Sequence, residues 1–191
     1  MDNRQLVKTS KFLSLILRHR PERVGITLDE SGWVDVEKLL RAINQNSREL
    51  TREQLETVVA QNDKKRFEFS EDGSRIRASQ GHSVDVDLGY EAVEPPETLL
   101  HGTAPQFLDS IRKTGLNKGK RHHVHLHSDE AVATQVGQRR GQAVILTILA
   151  GAMREAGHEF FQSTNEVWLT DHVPPEFIRF PSKSPGQLRL Q

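Results

Sequence analysis

The chain has 191 residues, with 26 Lys plus Arg against 26 Asp plus Glu, nine His and no Cys. A formal net charge of zero excludes a protein held to long nucleic acid or an anionic membrane by its overall field. The missing thiols exclude disulfide scaffolds, thiolate zinc sites and cysteine nucleophiles. The length suits one large domain or two small lobes. Basic and acidic residues number 15 and 16 up to residue 93 and 11 and 10 beyond it, so a phosphate partner has to be gripped at a local site. The apolar run from Phe12 to Leu17 is too short to span a membrane and runs into Arg18-His19-Arg20 without a small-residue cleavage pattern, so no membrane attachment is expected and the cytoplasm is the expected location.

Apolar residues at Leu6, Phe12, Leu13, Ile16 and Leu17 predict a helix over about 4–19, which Pro21 ends, leaving Arg18-His19 on the last turn. Asp29-Glu30-Ser31-Gly32 reads as a turn, and Val36, Leu39, Leu40 and Ile43 predict a second helix from about Asp35 to Gln45. Thr51 with Gln54 three residues on is a capping box for a third, running to about Asn62. Arg66-Phe67-Glu68-Phe69 and Arg75-Ile76-Arg77-Ala78 alternate on either side of a turn and predict a β-hairpin. Three helices and a hairpin suggest a winged-helix lobe. Gly89 to Pro96 has linker composition, with a Pro pair that cannot continue a ladder. The expected lobes are therefore residues 1–93 and 94–191.

In the second half, Thr98–His101 and His123–Leu126 read as strands, and Pro105–Lys113 as a helix closed by Gly115. A helix over about Asp129–Gln138 precedes a continuous apolar run, Ala143–Leu149, typical of a buried strand. Phe160-Phe161 and Val167-Trp168-Leu169 are further strand candidates, so the expected class is α+β.

Several residues carry candidate chemistry. Arg18-His19 at a helix C-terminus suits either simple complementation of the helix dipole or a phosphate clamp, because a guanidinium offers phosphate a planar fork. Arg66, Arg75 and Arg77 should stand on the hairpin face opposite the buried one, as a solvated wing paired to Glu68 and Glu71 or as a phosphate surface. Strand alternation puts His123, His125 and His127 on one face, which allows a zinc site with Asp129 or Glu130 as well as a plain polar strand. In His101-Gly102-Thr103 a glycine follows a histidine at a strand end, where a missing side chain lets a flat ligand approach the backbone. No Gly-rich phosphate loop is present, which excludes the usual dinucleotide site and ordinary hydride transfer.

These residues fall into a family pattern. The strings Ser10-Lys11-Phe12-Leu13-Ser14, Leu17-Arg18-His19 and Pro21, Gly32-Trp33-Val34, Lys64-Lys65-Arg66-Phe67, Ile76-Arg77-Ala78 and Gln80-Gly81-His82-Ser83 mark the first half. His101-Gly102-Thr103, Arg121-His122, Val124-His125-Leu126, Val136-Gly137 with Arg139, and Asn165 with Val167-Trp168-Leu169-Thr170 mark the second. In this order the sequence resembles the RNA 2′-phosphotransferases over nearly its whole length. The resemblance implies a winged-helix-like amino-terminal lobe, a carboxy-terminal lobe of the ADP-ribosyltransferase fold holding NAD, and the RNA phosphate at the cleft. It implies that the RNA 2′-phosphate attacks C1″ of the nicotinamide ribose and expels nicotinamide. The ribose 2″-hydroxyl then attacks phosphorus, releasing 2′-hydroxyl RNA and ADP-ribose 1″,2″-cyclic phosphate. No metal is required.

By resemblance the catalytic group is Arg18, His19, Arg66 and Arg121, with His19 a phosphate donor or a general acid/base. The family's His, His and Val, replacing the His, Tyr and Glu of many ADP-ribosyltransferases, carry over to His101, His125 and Val167. Gly102 would read the nicotinamide amide through its backbone, and Thr103 and Arg139 are secondary NAD or phosphate contacts. The family's best-known substrate is a tRNA splice junction carrying a 2′-phosphate, and a monomer is expected. The sequence departs from the pattern at His127, where Ser is common, and at Glu166, where Gly is common; on a strand Glu166 would face away from Val167. The competing readings are an ADP-ribosyltransferase acting on terminal phosphates or a protein, a non-catalytic winged-helix nucleic-acid binder, and a zinc hydrolase using His123 and His125.

Overall fold

A computed structural model describes residues 1–46, 49–62 and 64–181, so the last ten residues of the expected second lobe lie outside the described residues. The chain is α+β, with helices and short antiparallel strands. It divides into two compact units that are not contiguous in sequence. Unit 1 comprises Met1–Glu91 with Lys120–His122 and Ser163–Asn165, and unit 2 comprises Ala92–Gly119, His123–Gln162 and the chain from Glu166 onward.

In unit 1, α1 spans Asn3–Arg18 and starts with a capping box in which Asp2 receives the N–H of Gln5 while the Gln5 side chain receives that of Asp2. Leu13, Ile16 and Leu17 are fully buried on its inner face, each such burial stabilising the fold by about 1.5–3 kcal/mol. The helix stops at His19 as the chain enters a 3-10 turn, Pro21–Val24, in which Pro has no N–H to offer. Helix α2, Val36–Gln45, is capped by Asp35, and α3, Arg52–Ala60, by the Thr51–Gln54 box. The hairpin forms as β2, Phe67–Phe69, and β3, Arg75–Ala78, with Phe67 opposite Ala78 and Glu68 opposite Arg77. A two-residue strand, β1 (Val34–Asp35), pairs antiparallel with the other edge of β3. Phe67, Ile76 and Ala78 face the core beside Leu39, Ile43 and Leu55.

The opposite face of the hairpin is not a free basic wing. Arg77 lies 4.4 Å over the Trp33 ring and pairs with Glu68 at 2.6 Å, while Arg75 lies 5.3 Å over the same ring and reaches Asp29 at 3.5 Å. These two guanidiniums cover a half-buried indole, and the acidic partner of Arg75 comes from the turn before Trp33 and not from Glu71.

In unit 2, β4 (Leu99–Thr103) leads through the 3-10 turn Pro105–Phe107 into α4 (Leu108–Thr114), closed by Gly115 at φ +71°. Strands β5 (Leu116–Asn117) and β6 (Val124–Leu126) follow. Helix α5 (Glu130–Gly137), capped by Asp129, continues into the 3-10 turn Gln138–Arg140. Next come β7 (Val144–Ile148) and α6 (Ala150–Glu155), then β8 (Phe161–Gln162), β9 (Trp168–Thr170), β10 (His172–Val173) and β11 (Ile178–Arg179). One sheet has the order β11-β7-β4 and another β6-β9-β8, with a third pair β10-β5; all pairs are antiparallel. The backbones of Leu100 and His127 exchange hydrogen bonds of 2.7 and 2.9 Å and tie β4 to the chain just after β6.

Strand β7 is central, yet only Leu146 and Ile148 are fully buried on it. The apolar run expected to be buried throughout alternates instead, as befits an antiparallel strand with one face on the core. Among the described residues no helix is long and apolar enough to cross a membrane.

Candidate active site

Arg18, His19, Arg66 and Arg121 all belong to unit 1, although Arg121 lies far along the sequence on the short stretch Lys120–His122. The last turn of α1 presents Arg18, half-buried, with its Nη2 donating to the Arg66 carbonyl at 3.3 Å and its Nε buried without a partner in the protein. Burial, then the charges of Arg66 and Arg121, push its pKa down from 12.5 to about 10, and Tyr90 acts in the opposite direction. Arg18 therefore stays cationic at neutral pH while feeling two like charges. The next residue, His19, is exposed, and burial followed by Arg18 and Arg121 lowers its pKa. Its Nδ1 lies 2.9 Å from Ser83 Oγ.

Arg66 stands immediately before β2, after a tight turn in which Lys65 adopts φ +38°, an uncommon conformation for a residue with a side chain. Asn62, nearly fully buried, holds that turn. Its Oδ1 accepts from the Lys64 N–H and from Arg66 Nη1, both at 3.2 Å, and its Nδ2 donates to Ser10 Oγ on α1 at 2.9 Å. The Lys64 carbonyl accepts from Asn165 Nδ2 at 2.8 Å. Neither Asn62 nor Ser83 was expected as a supporting residue: Asn62 reaches Ser10 across 52 positions and Ser83 reaches His19 across 64, gaps that no local spacing reveals. His82, 1% exposed, is a third residue missed: neither ring nitrogen has a hydrogen-bond partner in the protein, and burial, then Arg18, His122, His19 and Arg77, lowers its pKa to about 3.

Unit 2 holds the other candidates. His101 and Gly102 lie on β4, and Thr103, buried, ends it. His101 Nδ1 is 3.0 Å from the His125 carbonyl on β6. A carbonyl only accepts, so the proton is on Nδ1 and, in the neutral ring, Nε2 is an acceptor suited to a hydroxyl donor. Gly102 is fixed by packing: a Cβ there would lie 1.7 Å from the Ala133 carbonyl of α5. Its missing side chain admits helix α5, a different reason from the ligand approach expected at this position. Val167 is buried just before β9, and Arg139 is exposed on the 3-10 turn after α5. Glu166 is exposed at φ +62°, outside any strand, so strand alternation does not govern its direction. His123 stacks edge-on against Phe161 at 5.4 Å, and among the described residues no group of three His, Asp or Glu is placed to hold a metal ion.

The fold and site define an α+β protein with like-charged guanidiniums gathered at a helix end. Comparison with known proteins specifies it further. A profile of the family described as "RNA 2'-phosphotransferase, Tpt1 / KptA family" matches residues 4–172. The chain is 55% identical to a probable RNA 2'-phosphotransferase of Rhodopirellula baltica over 94% of this chain and 98% of the relative. It is 51% identical to one of Flavobacterium johnsoniae over 94% and 100%, and 53% identical to one of Pseudomonas aeruginosa over 94% and 99%. The chain belongs to the RNA 2′-phosphotransferase family, and it is an enzyme of that kind.

Proposed function

We propose that this enzyme removes an internal 2′-phosphate from RNA by passing it to NAD, with residues 1–93 as a winged-helix-like lobe and 94–191 as an ADP-ribosyltransferase-like lobe. The observation that carries the reading is that Arg66 and Arg121 both act as like charges on Arg18, whose Nη2 also donates to the Arg66 carbonyl at 3.3 Å. Guanidiniums brought together in this way suit a phosphate dianion, since each donates charge-assisted bonds in a fixed fork.

Arg18, Arg66 and Arg121 hold the phosphate for attack and then neutralise its equatorial oxygens as it is transferred, the stage at which charge on the phosphoryl group builds. His19 adds a further donor. On the nucleotide side the donor set fits NAD: Nε2 of His101 accepts from a ribose hydroxyl, Gly102 offers backbone groups to the nicotinamide amide, and His125 and Val167 line the ring pocket with Thr103 and Arg139 at its margin. NAD supplies the ribose carbon that the phosphate attacks and the 2″-hydroxyl that completes the exchange, and it leaves as nicotinamide and ADP-ribose 1″,2″-cyclic phosphate. The RNA is tRNA-like.

The deciding experiment incubates the protein with a short RNA bearing an internal 2′-phosphate, with and without NAD, and resolves products by mass. Loss of the phosphate only with NAD, together with nicotinamide and the cyclic phosphate, is expected. RNA that gains ADP-ribose and keeps it would mean a transferase that stops after nicotinamide release, and phosphate loss without NAD would overturn the scheme.

A further inference from the structure

Ser83 has no part in the scheme above, yet its segment is fastened to the end of α1. Gly81 turns the chain at φ +83°, and buried His82 lodges where Gly32 presents no side chain, a Cβ there falling 3.4 Å from His82 Nε2. The backbone N–H groups of Ser83 and Val84 both donate to the Arg18 carbonyl, at 2.8 and 3.4 Å. That carbonyl is one of those a helix terminus leaves without an intrahelical donor. The two bonds fix Ser83 beside the next residue of the helix end, and its hydroxyl meets His19 Nδ1 at 2.9 Å. A hydroxyl both donates and accepts. It therefore serves the ring in either protonation state, donating to a bare Nδ1 or accepting from Nδ1–H.

We propose that Ser83 is a positioning residue for 2′-phosphate transfer, fixing the ring of His19 through Nδ1 so that Nε2 is the nitrogen that meets the RNA phosphate. The inference rests on the reading of His19 as part of the phosphate site. The charged and titratable groups acting with His19 are Arg18, Arg121 and His82. In the free protein burial, then the two guanidiniums, lower the affinity of the imidazole for a proton, and the Ser83 hydroxyl donates to Nδ1 of the neutral ring. A phosphate dianion reverses the sign of the local field. The ring then takes one proton from solvent, donates from Nε2 to a phosphate oxygen and from Nδ1 to Ser83 Oγ, and returns the proton when the dephosphorylated RNA leaves.

The test compares wild type, Ser83→Ala, Ser83→Thr, His19→Ala and the His19→Ala/Ser83→Ala double variant on a short 2′-phosphorylated RNA with NAD, over about pH 6–9, which brackets the ordinary histidine range. Ser83→Ala is expected to lower kcat/KM for RNA about tenfold, the size of one hydrogen bond to a charged group. The KM for NAD should not move, and the alkaline limb of the profile should shift to lower pH because the imidazolium has lost its acceptor. Ser83→Thr keeps the hydroxyl and should stay within about twofold of wild type on the same argument. In the His19→Ala background Ser83→Ala should cost nothing more, since the residue it serves is gone. An equal loss in both backgrounds, or equal losses for Ala and Thr, would overturn the inference. Nitrogen NMR of His19 needs no turnover: Ser83→Ala should move the Nδ1 resonance, and an unmoved resonance also overturns the inference. Wild type that removes no phosphate from the RNA would instead count against the proposed function, leaving the NMR arm to decide the role of Ser83.

Discussion

Asn62 Oδ1 stands 3.2 Å from Nη1 of Arg66, and the same amide reaches Ser10 Oγ in the interior through Nδ2. One buried side chain thus connects the helix that ends in Arg18 to the guanidinium of Arg66, the residue whose carbonyl accepts from Arg18. Asn62→Ala is expected to destabilise the protein by about 1–3 kcal/mol, because the buried Ser10 hydroxyl loses its partner. Turnover should fall further than this loss of folded protein explains. Denaturant titration beside a turnover assay reads both, and a variant with normal kinetics would show that Arg66 does not depend on this amide.

Arg121 repels Arg18 in the free protein and is itself exposed. Arg121→Ala is expected to abolish net 2′-phosphate removal, as is Arg66→Ala. If the transfer to phosphorus suffers more than the attack on NAD, the ADP-ribosylated RNA will accumulate. Inorganic phosphate should raise the Tm of wild type more than that of Arg121→Ala. Unchanged turnover in both variants would remove the guanidinium cluster from the chemistry.

His82 makes folding sensitive to acid. Its pKa is lowered from 6.5 to about 3, so below about pH 6.5 the unfolded chain binds a proton that the folded chain refuses. Stability is fully present above that pH and falls as the pH drops toward 3, at up to about 1.4 kcal/mol per pH unit. Neither ring nitrogen has a protein partner, so His82→Leu should cost little at neutral pH and should flatten the acid slope. Denaturant midpoints at a series of pH values check this, and an equally steep slope in the variant would contradict it.

Glu166 occupies a left-handed conformation, φ +62°, which a residue with a side chain adopts only at a cost. Glu166→Gly is expected to raise stability by about 0.5–1 kcal/mol, removing the Cβ clash at the expense of some chain entropy. Because the side chain is exposed, turnover should be unchanged.

Gly102→Ala should be far more damaging than its size suggests. The added methyl would lie 1.7 Å from backbone, which no side-chain rotation relieves, so a loss of about 3 kcal/mol or more is expected by thermal denaturation. A well-folded alanine variant would show that α5 shifts easily.

The long elements were legible because their signals are local. The Thr51–Gln54 box, the hairpin at Phe67–Ala78 and the helix ending at Arg18 follow from spacing alone. Strands β1, β5, β10 and β11 have two residues each, too few to show a period, and α6 follows β7 so closely that the apolar run hid its start. Arg66, Arg75 and Arg77 read alike in sequence, but Trp33 takes the last two while Asn62 holds the first. What separates them is tertiary, since Trp33 is brought alongside by β1. The roles of Ser83 and His82 escaped for the same reason: a hydrogen bond from Ser83 to His19 spans 64 positions, and burial of a histidine leaves no mark on the residues beside it.

The discontinuity of unit 1 bears on how such an enzyme is inherited. A chain cut after Glu91 would carry Arg18, His19 and Arg66 but not Arg121, which returns to unit 1 from within the stretch otherwise devoted to unit 2. On the proposed assignment, the amino-terminal part is no cassette to be lent to another protein with its phosphate-binding group complete. Gene fusion or recombination at the Pro-rich joint would separate Arg121 from Arg18, His19 and Arg66, so the two parts are expected to travel through descent as one indivisible gene.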